Sequence, residues 1–352
     1  MFKKIIYNQI LKDFKNELKS LPADTRITEV MLMKKFGVSR NTSMKVLNIL
    51  KNQGLVKRLK GSGTYPALPA DHTKPVLNII LSDSFYQQAY FGHNLTVPLY
   101  MKGLTDPEIL TRSHVCTHTL PAHMNKEKMY DFFTGLGSKN GCIFFMHNDP
   151  GIEICRKNHI PYMARLPLGT AGINGVQINA YGSVCTALEH LLQKHPASKI
   201  LFLFGARESA WQKPIHQAVS DTLKKIGVPA HNDLLINFSP YDEKQKLALR
   251  ETLSTRTDID AVFTVGFAIT FTVYTMLLGI GREHLHRIKI LAYNDPSNIG
   301  PDMDFISCIR EPLPKVGKIL AEQVLDMIDS GYQADICITL ENEFIARGNL
   351  LS

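Results

Sequence analysis

From residue 76 onward, apolar residues fall in short unbroken runs separated by stretches in which they recur every three or four positions. "VLNIILS", "GCIFFMH", "IPYMAR", "KILFLFG", "AVFTVG" and "IKILAYN" are runs of the first kind. A strand that is apolar at successive positions is covered on both faces, which is the condition of strands in a parallel sheet flanked by helices. "YGSVCTALEHLLQKH" and "PLPKVGKILAEQVLDMI" are of the second kind, and in the latter Val316, Ile319, Leu320, Val324, Met327 and Ile328 form one stripe. Strand and helix alternate to the end of the chain. The expected fold class is therefore α/β, a doubly wound parallel-sheet domain, with ligands at the carboxyl ends of its strands.

The first part of the chain has a different rhythm. Ile5, Ile6, Ile10, Phe14 and Leu18 make one helical stripe, which Leu21-Pro22 ends. Thr28 is placed to cap a second helix running to Phe36, Gly37 suits a tight turn needing positive φ, and Ser39 caps a third helix with Val46, Leu47 and Leu50 inward. Two short strands follow, Leu55-Val56 and Thr64-Tyr65, around a "KGSG" tip. Helix, helix, helix and hairpin spell a winged helix-turn-helix over residues 1–67. The proline-punctuated "PALPADHTKP" leads out of it, giving a linker over 68–75 and a second domain over 76–352.

Charge separates the two parts further. The net charge is +8, but residues 1–75 hold 15 Lys/Arg against 5 Asp/Glu, a balance of +10, while the remainder holds 25 against 27. An anionic partner is expected for the amino-terminal end alone, nucleic acid or a membrane surface. Arg40, Asn41, Thr42 and Lys45 occupy the first two turns of the third helix, where side chains reach phosphates and base edges in a major groove. Lys57, Arg58 and Lys60 flank Gly61, Ser62 and Gly63, whose bare backbone suits close approach to phosphate. The competing readings are a solvated basic face and a winged helix used for protein contacts. No run of eighteen apolar residues occurs, and charge interrupts the start of the chain, so a cytoplasmic protein without membrane contact is expected. Six scattered cysteines with no Cys-x-x-Cys pair read as free thiols.

Phe36 to Tyr65, "FGVSRNTSMKVLNILKNQGLVKRLKGSGTY", resembles the carboxy-terminal half of a GntR-family winged-helix domain, with its Val-Ser-Arg-x-Thr start, its "GL" and its Gly-x-Gly-Thr wing. The similarity extends over about residues 5–67. It implies DNA contacts from Thr28, Ser39, Arg40, Asn41, Thr42, Lys45, Arg58, Lys60, Gly61, Ser62 and Gly63. Two departures matter: Val30 and Met44 stand where the family commonly carries DNA-contacting arginines. Over residues 76–352, "VQINAYGSVCTALEHLL", "DIDAVFTVG", "IKILAYNDPS" and "DFISCIREPLPKVGKILAEQVLDMI" resemble, in order and pattern, the LacI/GalR effector domain, which has the periplasmic-binding-protein fold. This implies an effector-binding and dimerisation domain over 76–352, with lobes over about 76–178 with 307–331 and 179–306 with 332–352. The combination is similar to that of arabinose repressors. It implies a homodimer on a palindromic operator, a repressor controlled by a small polar effector of the sugar class, and no cofactor.

The same resemblance points to effector-binding positions. Asn294 and Asp295 replace the family's Gly-Phe-Asp-Asp, with Asp295 alternatively capping the turn that follows. Ser84 and Phe85 follow the first strand, Arg165 follows "IPYMA", and Arg207 and Trp211 follow "KILFLFG". The family's ligand-clamping Arg is missing from "IHQA" (Ile215 to Ala218), and Gly266-Phe267 replaces its Asn-Asp. A cytoplasmic sugar-processing enzyme or a sugar-binding protein is the rival reading, but no nucleophile elbow, phosphate loop or zinc-protease motif is present. His114, Cys116 and His118 alternate, with His123 nearby, and their spacing matches no standard metal site, so no metal is assigned.

Overall fold

A computed structural model describes residues 10, 11, 13–15, 17, 18, 21, 25–52, 55–59, 63–66, 74–82, 95–121, 124–145, 149–195, 199–205, 209–227 and 234–350. The chain divides into two units, Met1–Lys74 and Pro75–Ser352.

In the first unit, α1 (Glu29–Phe36) and α2 (Arg40–Asn52) are followed by β1 (Val56–Leu59) and β2 (Gly63–Pro66). Capping chemistry sets these limits. The Thr28 hydroxyl accepts from the Met31 amide at 3.1 Å, and Gly37 closes α1 in the left-handed region at φ 62°. Ser39 Oγ accepts from the Thr42 amide at 3.3 Å. The wing is an antiparallel hairpin pairing Leu59 with Gly63, and Ile27 adds a third edge by donating its amide to the Thr64 carbonyl at 2.7 Å. Ile10, Phe14, Ile27, Leu32, Val46, Leu50 and Val56 form the core of this unit, and Phe14 meets Phe36 edge to face.

The second unit contains two sheets. The first lobe orders its strands β13-β7-β6-β5-β3-β4, all parallel: β3 (Val76–Ser82), β4 (His114–Leu120), β5 (Asn140–Phe144), β6 (Tyr162–Leu166), β7 (Gly175–Asn179) and β13 (Cys337–Glu341). The second lobe orders its strands β14-β12-β11-β10-β8-β9: β8 (Lys199–Phe204), β9 (Leu235–Asn237), β10 (Ile259–Val265), β11 (Lys289–Tyr293), β12 (Ser307–Arg310) and β14 (Glu343–Ile345), only β14 being antiparallel. Each sheet is covered on both faces, which accounts for the unbroken apolar runs. Leu77, Ile79 and Leu81 enter one core cluster while Ile80 enters another, and Phe202 and Phe204 part in the same way from Leu201 and Leu203.

The lobe boundaries differ from those expected at the end of the chain. β12 joins the second lobe, pairing with β11, and β13 returns to the first lobe, pairing with β7. The chain therefore crosses between lobes three times: after Asn179, between Arg310 and Leu313, and at Asn342. Partner choice among buried parallel strands is decided by neighbours distant in sequence, and local pattern does not encode it.

Two helices of the first lobe place one wall of the space between the lobes. Those helices, α3 (Thr96–Leu104) and α4 (Leu313–Ser330), touch through glycines. A Cβ on Gly103 would lie 1.8 Å from the Pro314 carbonyl oxygen, and one on Gly317 would lie 2.2 Å from that of Tyr100. No side chain fits at either point, so the backbones meet directly and Tyr100 is fixed beside the interlobe space.

Candidate functional site

A cavity of about 290 Å³ lies between the lobes, at the carboxyl ends of their strands. Its most constrained member is Arg165, at the end of β6 and 6% exposed. Its Nε donates to the Tyr100 hydroxyl at 3.0 Å and its Nη1 to the Leu166 carbonyl. Its Nη2 stands 3.6 Å from Glu311 Oε1, and the guanidinium lies over the Trp211 ring, 4.8 Å from its centroid. Buried charge of this kind is tolerated only when paired and hydrogen-bonded.

Glu311 collects the bonds of the opposite wall. The Tyr293 hydroxyl donates to its Oε1 at 3.1 Å and Asn294 Nδ2 to its Oε2 at 2.8 Å. Asn342 Nδ2 in turn donates to the Tyr293 oxygen at 3.0 Å. Glu311 lies in the second crossover and Asn342 in the third, so this network ties two of the three interlobe connections to the cavity wall. Asn179, at the first crossover, donates to Glu341 at 3.1 Å. Burial pushes the Tyr100 hydroxyl up to about 12 and the Tyr293 hydroxyl well above its ordinary value, so both are neutral donors or acceptors at any physiological pH.

Of the effector positions expected from sequence, Arg165, Trp211 and Asn294 line this cavity, as do Ile215 and Gly266 at the positions where polar groups are missing. Ser84, Phe85 and Arg207 lie outside the described residues. Asp295 is not on the wall. Its carboxylate, 3% exposed, accepts from Arg310 Nε and Nη2 at 2.8 and 2.6 Å and from Arg347 Nη1 and Nη2 at 2.8 and 3.0 Å. It also caps the following turn through the Ser297 amide at 3.1 Å. Burial alone would raise its pKa, but the bonds from Arg347, Ser297 and Arg310 more than offset that and hold it well below the usual carboxylate range. Both its oxygens are taken up by structural bonds to Arg310, Arg347 and Ser297. Tyr100, Tyr293 and Glu311 were not singled out in the sequence. The one signal for Glu311 was its place directly after a buried parallel strand, where ligand contacts concentrate.

His114, Cys116 and His118 share one face of β4, but His118 Nε2 is 2.9 Å from Asn78 Oδ1 and Cys116 is exposed. Burial lowers the His118 pKa, which favours a neutral ring hydrogen-bonded to Asn78. His123 lies outside the described residues. Among the described residues no group of three His, Cys, Asp or Glu side chains is placed to hold a metal ion.

In the first unit, Arg40, Asn41, Lys45 and Arg58 are exposed on α2 and β1, and Arg40 Nε donates to Glu29 Oε2 at 2.8 Å. Thr28 and Ser39 act as helix caps, and Gly63 opens β2 at φ 131°, with Arg26 packed where its Cβ would be. Lys60, Gly61 and Ser62 lie outside the described residues.

Residues 6–65 match the family model described as bacterial regulatory proteins, gntR family, so the first unit carries a GntR-family helix-turn-helix. The chain is also similar to solved regulators. One is a transcriptional regulator CelR–cellobiose complex, at 17% identity over 92% of this chain and 100% of that one, with a TM-score of 0.64. Another is a LacI-family transcriptional regulator from Enterococcus faecium with bound ribose, at 16% identity over 78% and 98%, with a TM-score of 0.60. A third is the LacI-family regulator CCPA from Weissella paramesenteroides with bound sucrose, at 14% identity over 78% and 98%, with a TM-score of 0.57. At these identities the likeness is one of fold: the two lobes that follow the head share the architecture of these regulators.

Proposed function

We propose that the protein is a DNA-binding transcriptional regulator, a cytoplasmic homodimeric repressor, whose hold on its operator is released when a small polar effector of the sugar class fills the interlobe cavity. The observation that carries this reading is the joining of a head with a +10 charge balance to a cavity whose polar wall is hydrogen-bonded to two of the interlobe crossovers, through Glu311 and Asn342. A ligand shifts the two-lobe equilibrium only by binding one arrangement better than the other. Hydroxyls bonding to Glu311, Asn294 or Arg165 exchange directly with bonds that now tie the crossovers together, so occupancy is coupled to lobe closure. The aromatic rings of Trp211, Tyr100 and Phe145 offer apolar faces to the CH side of a sugar ring. Two heads are needed because one winged helix reads too few base pairs for specificity in a genome.

Binding is favoured over catalysis by the make-up of the wall. Among the described lining residues Glu311 is the one carboxylate, and it is engaged with Arg165, Tyr293 and Asn294. Among the described residues no helix is long and apolar enough to cross a membrane.

The DNA half of the proposal is tested with the purified full chain and duplex from its own upstream region. Affinity is expected to fall by about 10³-fold or more between 50 and 200 mM salt, as for a protein that neutralises six or more phosphates. Salt-insensitive binding, or none, refutes the reading.

A further inference from the structure

α1 and α2 each spend one apolar stripe on the core of the head, through Leu32 and through Val46 and Leu50. Two further large apolar residues on the same helices point the other way: Val30 is 56% exposed and Met44 42%. Single surface hydrophobics need no explanation, but these two share one concave surface of about 270 Å³ between α1, α2 and the wing. Its rim carries the cations Arg26, Lys51 and Arg58, and the exposed amide of Asn48 opens on it. One carboxylate, Glu29, also lines this surface, and it is paired with Arg40 at 2.8 Å. An apolar floor inside a cationic rim fits duplex DNA by charge, and it fits one kind of base edge. In the major groove the thymine methyl is the only apolar feature, and Asn is matched to adenine N6 and N7.

We propose that Val30, Met44 and Asn48 read A·T base pairs in the operator, Val30 and Met44 against thymine methyl groups and Asn48 on an adenine edge. The inference rests on the reading of the head as a DNA-binding module and names what that module recognises. The charged residues around the floor contact phosphates and set register, while these three uncharged ones discriminate. The flexible Met44 side chain adapts to a methyl group on either strand of the step it faces.

The test uses the full chain and the tightest duplex recovered by selection from random sequence. Each thymine is replaced in turn by deoxyuridine, which removes only the methyl group. Wild type is expected to bind about fourfold more weakly at each contacted position, the worth of one buried methyl-sized group. The V30A/M44A double variant, altered only at exposed positions, is expected to bind thymine and deoxyuridine duplexes equally. Asn48→Ala is expected to lose the penalty that 7-deazaadenine imposes on wild type. Wild type indifferent to deoxyuridine at every position overturns this assignment and leaves the DNA-binding reading intact. A double variant that keeps the full discrimination also overturns it. Absence of any selected duplex refutes both.

Discussion

Asp295→Ala is expected to destabilise the two-lobed unit by about 3–5 kcal/mol, the usual cost of removing one partner from a buried ion network. Arg310 reaches solvent and Glu343 at 3.5 Å and adapts, but Arg347 is largely enclosed, loses both its bonds to the carboxylate and keeps only a long one to the Ile306 carbonyl at 3.5 Å. The Ser297 amide loses its cap as well, worth about 1 kcal/mol. The pH dependence has a definite sign. The folded pKa of Asp295 lies below its unfolded value, so its contribution is fully present above about pH 4 and is lost as pH falls through the lower folded value. Wild type and Asp295→Asn are therefore expected to converge in stability on acidification. Urea titrations at a series of pH values measure this, and a constant gap down to strong acid contradicts it. Asp295→Asn, which keeps the cap, is expected to retain ligand response, since Asp295 does not line the cavity.

Arg165→Ala is expected to act in two ways at once. It leaves Glu311 buried without its cation and Tyr100 without its donor, so a loss of about 3–5 kcal/mol in stability follows. It also removes the guanidinium lying over Trp211 and widens the cavity on the first-lobe side. Operator binding by the folded protein is expected to remain and effector-induced release to disappear. Arg165→Lys keeps charge but not the fork that reaches both Tyr100 and Leu166, and is expected to restore stability more than response. A band-shift titration with a panel of neutral sugars reads the response. Full release by an Arg165→Ala protein places the effector elsewhere.

Much of the architecture could be read from residues in order. Thr28, Gly37 and Ser39 fix the head because capping and positive φ are local demands, and the unbroken apolar runs fix a doubly wound sheet because both faces are covered. The assignment of β12 and β13 to lobes was not legible: "SCIR" and "CITLE" carry no mark of which neighbour they pair with. The site divided along the same line. Arg165 and Asn294 sit at strand ends and Trp211 in the connection that follows a strand, where ligands gather, and they line the cavity. Asp295 sits one residue from Asn294 yet faces Arg310 and Arg347, a direction set by the left-handed backbone of Asn294 at φ 86° and by strands remote in sequence. Tyr100 has no local signal in the sequence, because only the contact of α3 with α4 brings it to Arg165.

Trp211 is the only tryptophan in the chain and lines the cavity beneath Arg165, so its fluorescence reports on that space alone. The most direct test of the account follows two signals in one titration of the full chain bound to labelled operator. Neutral mono- and disaccharides are added one at a time while tryptophan emission and operator anisotropy are recorded. For the effector, both signals are predicted to change with a single half-saturation concentration, the anisotropy falling as DNA is released. By reciprocity, operator should weaken the sugar by the same factor, typically about 5- to 150-fold. A sugar that releases operator while leaving Trp211 emission unchanged, or that moves the emission without altering DNA affinity, would contradict control of the head from the interlobe cavity.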